Sequence, residues 1–127
     1  MTLNLGWVLR AERDPAGARS KLQKALRIGR RIGDKGNMAE AMLGLACVAG
    51  DLDDWHRAAM LHGAAQALRD QTGVPWDTLV APYRQESLDQ AAAALGDEQF
   101  HRAYARGMAL SFDQAISLAL DEILPGT

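Results

Sequence analysis

The stretch that decides the fold spans residues 33–75 and reads GDKGNMAEAMLGLACVAGDLDDWHRAAMLHGAAQALRDQTGVP. Its polar and glycine residues predict two consecutive helices. Asn37 starts the first helix as an N-cap, with a glutamate three residues later as the other half of a capping box. Asp53 or Asp54 caps the second helix. That helix ends at Gly73, because glycine readily adopts the left-handed conformation that closes a helix. The stretch therefore predicts a pair of helices joined by a short turn.

The remaining sequence is also punctuated as helices. Asp14 followed by Pro15 predicts a helix start, since proline is tolerated at the first helical position, and Gly33 predicts the end of that helix. No run of β-branched or aromatic residues alternates as a strand would. Three further helices are predicted over 78–95, from Asp97 to near Gly107, and from a Ser111–Gln114 capping box to Pro125–Gly126. The sequence thus predicts an all-α fold.

The chain is similar to itself at a spacing of 40 residues. A gapless shift aligns identical residues at helix caps and at small or apolar positions, which a repeated helical pair must keep. Periods of about 34 to 47 residues are typical of solenoids built from helical pairs. The aligned pairs are Leu5 with Leu45, Val8 with Val48, Asp14 with Asp54, Ala18 with Ala58, Ala25 with Ala65, and Gly33 with Gly73.

These residues resemble the tetratricopeptide signature. The first unit carries Leu5–Gly6, Leu9, Ala18, Leu22 and Ala25–Leu26, and the second carries Leu45–Ala46, Ala49, Ala58, His62 and Ala65. Residues 33–75 are also similar to the C-terminal helical repeats of large, mostly actinobacterial regulators, including LuxR-type transcriptional regulators with an ATP-binding module. The tail, with Leu95–Gly96, Phe100, Gly107 and Leu110–Ser111, resembles that family's ending. His62 and Trp55 depart from the pattern, which usually has leucine and proline there.

The resemblance implies a tetratricopeptide-like α-α superhelix that forms one domain over residues 1–127. Its first repeat covers about residues 3–33 and its second about 37–73, and a three-helix C-terminal cap covers about 78–124. It also implies a non-catalytic sensing or protein-contact module of a transcriptional regulator. Neither a phosphate-binding loop nor a recognition helix occurs in this sequence, which excludes the motor and DNA-reading parts of such regulators.

The repeat pattern also implies which residues would line a partner-binding groove. The partner is expected to be a peptide, a neighbouring domain or a second copy of the chain, which would make a homo-oligomer. Trp7 is the aromatic residue most suited to such a surface, because a tryptophan gives a large contact area at low entropic cost. The implied groove residues are Trp7, Arg10, Glu40, Leu43, Cys47 and Asp51.

Composition limits the class of protein. The 127 residues are 48% hydrophobic and 24% charged, which is typical of one soluble globular domain. The single cysteine excludes an internal disulfide and a zinc site built on several thiolates. We expect no cofactor.

No signal-peptide pattern occurs at residues 1–10 and no long apolar run occurs, so a cytosolic protein is expected. The crowded apolar residues of the short first helix suggest a piece of a longer protein that self-associates.

Particular residues bear on other functions. A small-molecule sensor, with an apolar pocket between the repeats and the C-terminal helices, is the main alternative. His62 is expected to be a hydrogen-bonded residue in a helix interface and Cys47 a buried small residue, so neither predicts a metal site or a nucleophile. A basic stripe of Lys24, Arg27, Arg31 and Lys35 could contact phosphates. No aromatic residues interleave with it and the net charge is −2, so direct nucleic-acid contact is not expected.

Overall fold

A computed structural model gives the arrangement of the chain, and the structure describes residues 2–121, with side chains from residue 6. The described residues form seven α-helices and no strand, which confirms the all-α prediction. The helices are α1 (Thr2–Ala11), α2 (Pro15–Ile32), α3 (Lys35–Asp51), α4 (Trp55–Thr72), α5 (Ala81–Leu95), α6 (Asp97–Ala109) and α7 (Phe112–Leu120). The predicted helix stop at Pro125–Gly126 and the last residues of the predicted cap, up to 124, lie outside the described residues.

The predicted caps are confirmed at most helix ends. The carboxylate of Asp14 accepts a hydrogen bond of 2.9 Å from the backbone of Gly17, and Gly33 ends α2 in the left-handed conformation with φ of 75°. Ser111 and Gln114 form the reciprocal capping box of α7. Local sequence alone therefore determines where these helices begin and end.

The predicted N-cap at Asn37 is wrong. Asp34 caps α3, which begins at Lys35, two residues earlier than predicted. The Asp34 carboxylate accepts the backbone N–H of Asn37 at 3.1 Å and its side-chain amide at 2.7 Å. Asn37 is thus inside the first turn, because the aspartate directly after Gly33 satisfies the free N–H groups first.

Three of the six residue pairs related by the 40-residue shift occupy matching positions. Asp14 and Asp54 both occupy the N-cap position, although only the Asp14 side chain accepts a capping hydrogen bond, and Gly33 and Gly73 both end their helices with positive φ. Ala18 and Ala58 are both fully buried, with 0% of their surface exposed. Among the other pairs, Val8 is 48% exposed whereas Val48 is 1% exposed, Ala25 is half-buried whereas Ala65 is fully buried, and the side chain of Leu5 lies outside the described side chains. Consecutive helices from α1 to α4 contact one another, and α1 also contacts α3.

Helix α3 lies at the centre of the molecule. Almost every side chain from Met38 to Gly50 is buried, and Glu40 is the exception. Such a helix has no polar face, which is expected only when neighbours surround it. Helices α1, α2, α4 and α5 all contact α3. Ala115, Ile116, Ala119 and Leu120 of α7 belong to the same core cluster as Leu45 and Val48 of α3.

Helices α4 and α6 cross at unusually short range because each has a glycine at the crossing. A Cβ atom on Gly63 would overlap the backbone carbonyl of Tyr104, and a Cβ atom on Gly107 would overlap the carbonyl of Met60. The obstacles are backbone atoms, which cannot rotate aside as a side chain would. This pair of glycines therefore fixes α6, and through it α5, against the first four helices.

Replacing either glycine tests this crossing. Gly63→Ala or Gly107→Ala should each lower the free energy of unfolding by about 3 kcal/mol through overpacking, which corresponds to a fall in melting temperature of roughly 10 °C. Gly36→Ala is the matched control, because a Cβ atom there meets only one atom, at 3.6 Å. Thermal unfolding followed by circular dichroism measures all three; equal melting temperatures would show that α4 and α6 do not cross this closely.

Candidate functional site

The predicted groove residues lie mainly on α1 and α3, on the side where α5 packs. Leu43 and Cys47 are 0% and 1% exposed. In the described conformation these two side chains are covered and do not line an open groove. The reason is that α5 lies over this face of α3. Trp7, Arg10 and Glu40 are partly exposed and Asp51 is exposed.

The contact between α1 and α5 is aromatic. The rings of Trp7 and Tyr83 have centroids 5.8 Å apart and are tilted by 33°. The carbonyl oxygen of Tyr83 lies 3.9 Å from the Cys47 sulfur, which donates to it. Tyr83 therefore packs over this face of α3 and, with 48% of the residue exposed, also reaches the surface. We call Trp7, Arg10, Asp51 and Tyr83 the α1–α5 face.

A charged pair closes one end of this face. The Arg10 guanidinium donates to both carboxylate oxygens of Asp51, at 2.7 and 3.0 Å. Such a two-point contact orients both side chains. The pair joins α1 to the end of α3, so these two predicted groove residues are brought together. Arg10 and Asp51 therefore bind each other across the contact between α1 and α3.

Glu40 lies away from that pair, near the beginning of α3. Burial raises the pKa of its carboxyl group, and the positive charge of Arg69 opposes that rise. Glu40 and Arg69 line a shallow depression with Trp76, whose ring lies 4.6 Å from the Arg69 guanidinium carbon. Glu40 is therefore part of a different surface from Trp7.

A buried polar cluster under α5 was not predicted as a group. The Nε2 atom of His62 and the hydroxyl of Ser87 are 2.8 Å apart, and the Ser87 hydroxyl is also near enough to Cys47 to lower the pKa of its thiol slightly against the effect of burial. His62 is in a helix interface, as expected from the sequence. No sequence signal pointed to Ser87, because the three residues lie on three different helices and far apart along the chain.

This cluster has the residue types of a nucleophile and a base, yet both titratable groups are held neutral. Burial raises the pKa of the Cys47 thiol to about 11, so the reactive thiolate is not formed near neutral pH. Burial, with the nearby charges of Arg84 and Arg10, lowers the pKa of His62 to about 3. His62 Nδ1 also has no hydrogen-bond partner among the described residues, so a second N–H there would be unsatisfied.

The neutral His62 predicts acid sensitivity. The unfolded chain takes up this proton below pH 6.5 and the folded chain only near pH 3, so the contribution is complete above pH 6.5 and is lost as the pH falls. The loss between pH 7 and pH 5 should be about 2 kcal/mol. Urea unfolding at both pH values should show a drop smaller by that amount in His62→Gln, which can still hydrogen-bond Ser87.

His56→Gln is the control for that measurement, because His56 is exposed on the same helix. It should keep the full drop in stability between pH 7 and pH 5. An identical drop in His62→Gln and in the unsubstituted chain would show that His62 is not buried as a neutral group.

A second candidate site lies on the opposite side of α3, between α2, α4 and α7. It is a cleft of about 210 Å³ with an apolar floor and charged residues at its mouth. Leu45 and Val48 of α3, Leu61 of α4 and Ala119 of α7 lie in the floor, together with Ala49. Leu52, Arg19, Asp54, Arg57 and Asp121 complete the lining. We call this the α7 cleft.

The basic stripe predicted from the sequence lies on the surface. Lys24, Arg27, Arg31 and Lys35 are all exposed. Within residues 6–121 no three histidine, cysteine, aspartate or glutamate side chains lie close enough together to hold a metal ion. In the part of the chain that the structure describes, no helix is both long and apolar enough to cross a membrane.

Comparison with known proteins points to regulators of transcription. The chain is 40% identical over 116 residues to proteins of Mycobacterium bovis and of two strains of Mycobacterium tuberculosis, each named as a candidate HTH-type transcriptional regulator. The aligned part is 88% of this chain, and the chain spans about 13% of the length of these relatives. No family model and no solved structure matches the chain.

Proposed function

We propose that the chain is a non-catalytic, tetratricopeptide-like regulatory module of a LuxR-type transcriptional regulator, and that it binds protein. The observation that carries the proposal is the 40% identity over 88% of the chain to a small part of longer proteins named as transcriptional regulators. In a longer regulator, a helical segment of this size would contact other domains of the same chain. A location in the cytoplasm is part of this proposal.

The repeat character of the proposal is supported by helix starts and ends and by buried alanines that match at the 40-residue spacing. The helices α1 to α4 would form the two predicted pairs, and α5 to α7 the cap. The cap would then close both sides of α3, with α5 on the side of α1 and α7 on the side of the α7 cleft. This closure distinguishes the module from an open superhelix.

The non-catalytic character is supported by the state of the buried cluster. A nucleophilic cysteine needs a lowered pKa and access to substrate, whereas Cys47 is buried with its pKa raised to about 11. A general base works best with a pKa near the working pH, whereas that of His62 is lowered to about 3.

The α1–α5 face is the proposed protein-contact surface. Trp7 and Tyr83 supply the aromatic area that dominates many interfaces, and the Arg10–Asp51 pair lies beside them as a polar rim. The partner would be a peptide, a neighbouring domain of the regulator or a second copy of this chain.

Self-association gives a direct test, because it needs no other component. In sedimentation equilibrium, Tyr83→Ala and Trp7→Ala should each weaken association of the chain at least tenfold, as expected for aromatic residues at the centre of an interface. Ile32→Ser, which changes an exposed apolar residue on α2, should leave association unchanged. Far-UV circular dichroism should show equal helicity in all variants. A monomer at every concentration would contradict self-association, and equal weakening by Ile32→Ser would contradict the choice of surface.

A second candidate function, a small-molecule sensor, is favoured by one specific observation. The α7 cleft lies between the helices of the proposed repeats and a C-terminal helix, where a ligand could change the position of α7. A bound small molecule would raise the melting temperature by mass action, without any partner protein.

A further inference from the structure

The α7 cleft has an arrangement of charges that the sensor function alone does not explain. Two arginines from different helices, Arg19 of α2 and Arg57 of α4, both contact the carboxylate of Asp121, which follows α7. Arg57 also donates to the carbonyl oxygen of Leu118 in the last turn of α7. Two guanidinium groups thus converge on one internal carboxylate at the mouth of an apolar cleft.

Arg57 is partly withdrawn from water beside a second guanidinium group and is paired with that carboxylate. Its side chain is only 23% exposed, and both burial and the nearby charge of Arg19 lower its pKa. Two like charges held close together and partly out of water need a counter-anion. Asp121 contacts both guanidinium groups, and the charge of Asp54 also acts on Arg57 and partly offsets the lowering of its pKa. Asp121 does so from a backbone conformation with φ of 58°, which residues other than glycine rarely adopt.

The floor of the α7 cleft is apolar, so it would bind the apolar part of a ligand. Leu45, Val48 and Leu61 are almost fully buried, and they lie next to Ala119 of α7. The cleft volume of about 210 Å³ equals that of roughly seven waters in the liquid. An occupant of that size with an apolar body would lie on this floor, and its anionic end would reach the two arginines.

We propose that the α7 cleft binds a small amphipathic carboxylate, whose carboxylate takes the place of Asp121 between Arg19 and Arg57. This inference rests on the sensor function and names its ligand class. Asp121 acts as an internal competitor that holds the end of α7 when no ligand is bound. Binding releases that carboxylate, so the end of α7 is the element that reports the ligand.

Hexanoate is the probe that matches this chemistry, with hexanol and hexylamine as neutral and cationic analogues of the same chain. A titration followed by ¹H–¹⁵N NMR should give shifts at Val48, Leu61 and Ala119, which localises binding to the cleft. Hexanoate should bind at least tenfold more tightly than either analogue. From butanoate to hexanoate the affinity should rise about fourfold per methylene, as burial of a CH₂ group predicts.

Variants separate the competitor from the arginines. Asp121→Asn should tighten hexanoate binding at least fivefold, because the internal carboxylate no longer competes. Asp113→Asn is the matched control: it removes another carboxylate of α7, one exposed beside Arg30, and should change nothing. Arg57→Gln and Arg19→Gln should each weaken binding at least tenfold. Arg57→Gln also removes the hydrogen bond to the Leu118 carbonyl and could disturb α7. Arg19→Gln does not remove that bond, so it tests the role of the arginines independently.

The outcomes are distinguishable. Equal affinity for hexanol and hexanoate, or an unchanged affinity in Asp121→Asn, would overturn the carboxylate assignment and leave a neutral small-molecule sensor standing. Shifts confined to surface residues away from the cleft, or no binding of any of the three probes, would overturn the inference together with the assignment of the α7 cleft as the sensor site. The proposed protein contact on the α1–α5 face is tested separately and survives either result.

Discussion

The rest of the structure depends on the burial of α3 from Met38 to Gly50, where only Glu40 is partly exposed. Its inward residues are small or apolar, with Ala39, Gly44, Ala46 and Ala49 among them, so neighbouring helices can approach its backbone from several directions. A helix with no polar face is stable in water only when other helices enclose it. The enclosure needs both the early helices and the late ones: α1, α2 and α4 supply part of it, and α5 and α7 complete it.

This enclosure explains why the two candidate sites lie where they do. On one side, α5 fills the face that α1 and α3 would otherwise leave open, which is why the proposed protein-contact surface consists of Trp7 and Tyr83. On the other side, α7 fills the space between α2 and α4 less completely, and the α7 cleft remains. The closely packed α4–α6 crossing at Gly63 and Gly107 holds α5 in place, while α7 is held at its end by charged contacts. A protein signal and a small-molecule signal would thus act on different cap helices.

Much of the fold could be predicted from sequence because helix ends are local events. Asp14, Gly33 and Ser111 act on backbone groups within a few residues, so their roles are visible without a structure. The error at Asn37 arose because two suitable cap residues lie three positions apart, and the one next to Gly33 acts first. The 40-residue spacing correctly paired the buried positions Ala18 and Ala58.

The candidate site was less predictable because it depends on distant packing. The repeat pattern identifies the α3 face that carries Leu43 and Cys47, but it does not say that α5 covers this face. The Cys47–Ser87–His62 cluster joins three helices, and no spacing in the sequence encodes it. The contact of Arg19 and Arg57 with Asp121 could not be predicted from the sequence either, because the aspartate lies more than sixty residues beyond either arginine.

The central claim, that α5 covers α3, is tested most directly by the reactivity of Cys47, which is the only cysteine of the chain. A thiol reagent such as Ellman's reagent, applied at pH 8 to the folded chain and to the chain in 6 M guanidinium, measures its accessibility. The account predicts that the folded chain reacts at least a hundredfold more slowly, since the thiol is buried and its pKa is raised to about 11. Labelling of the folded chain at a rate within a few-fold of the unfolded chain would show that the face is open, and would contradict the account.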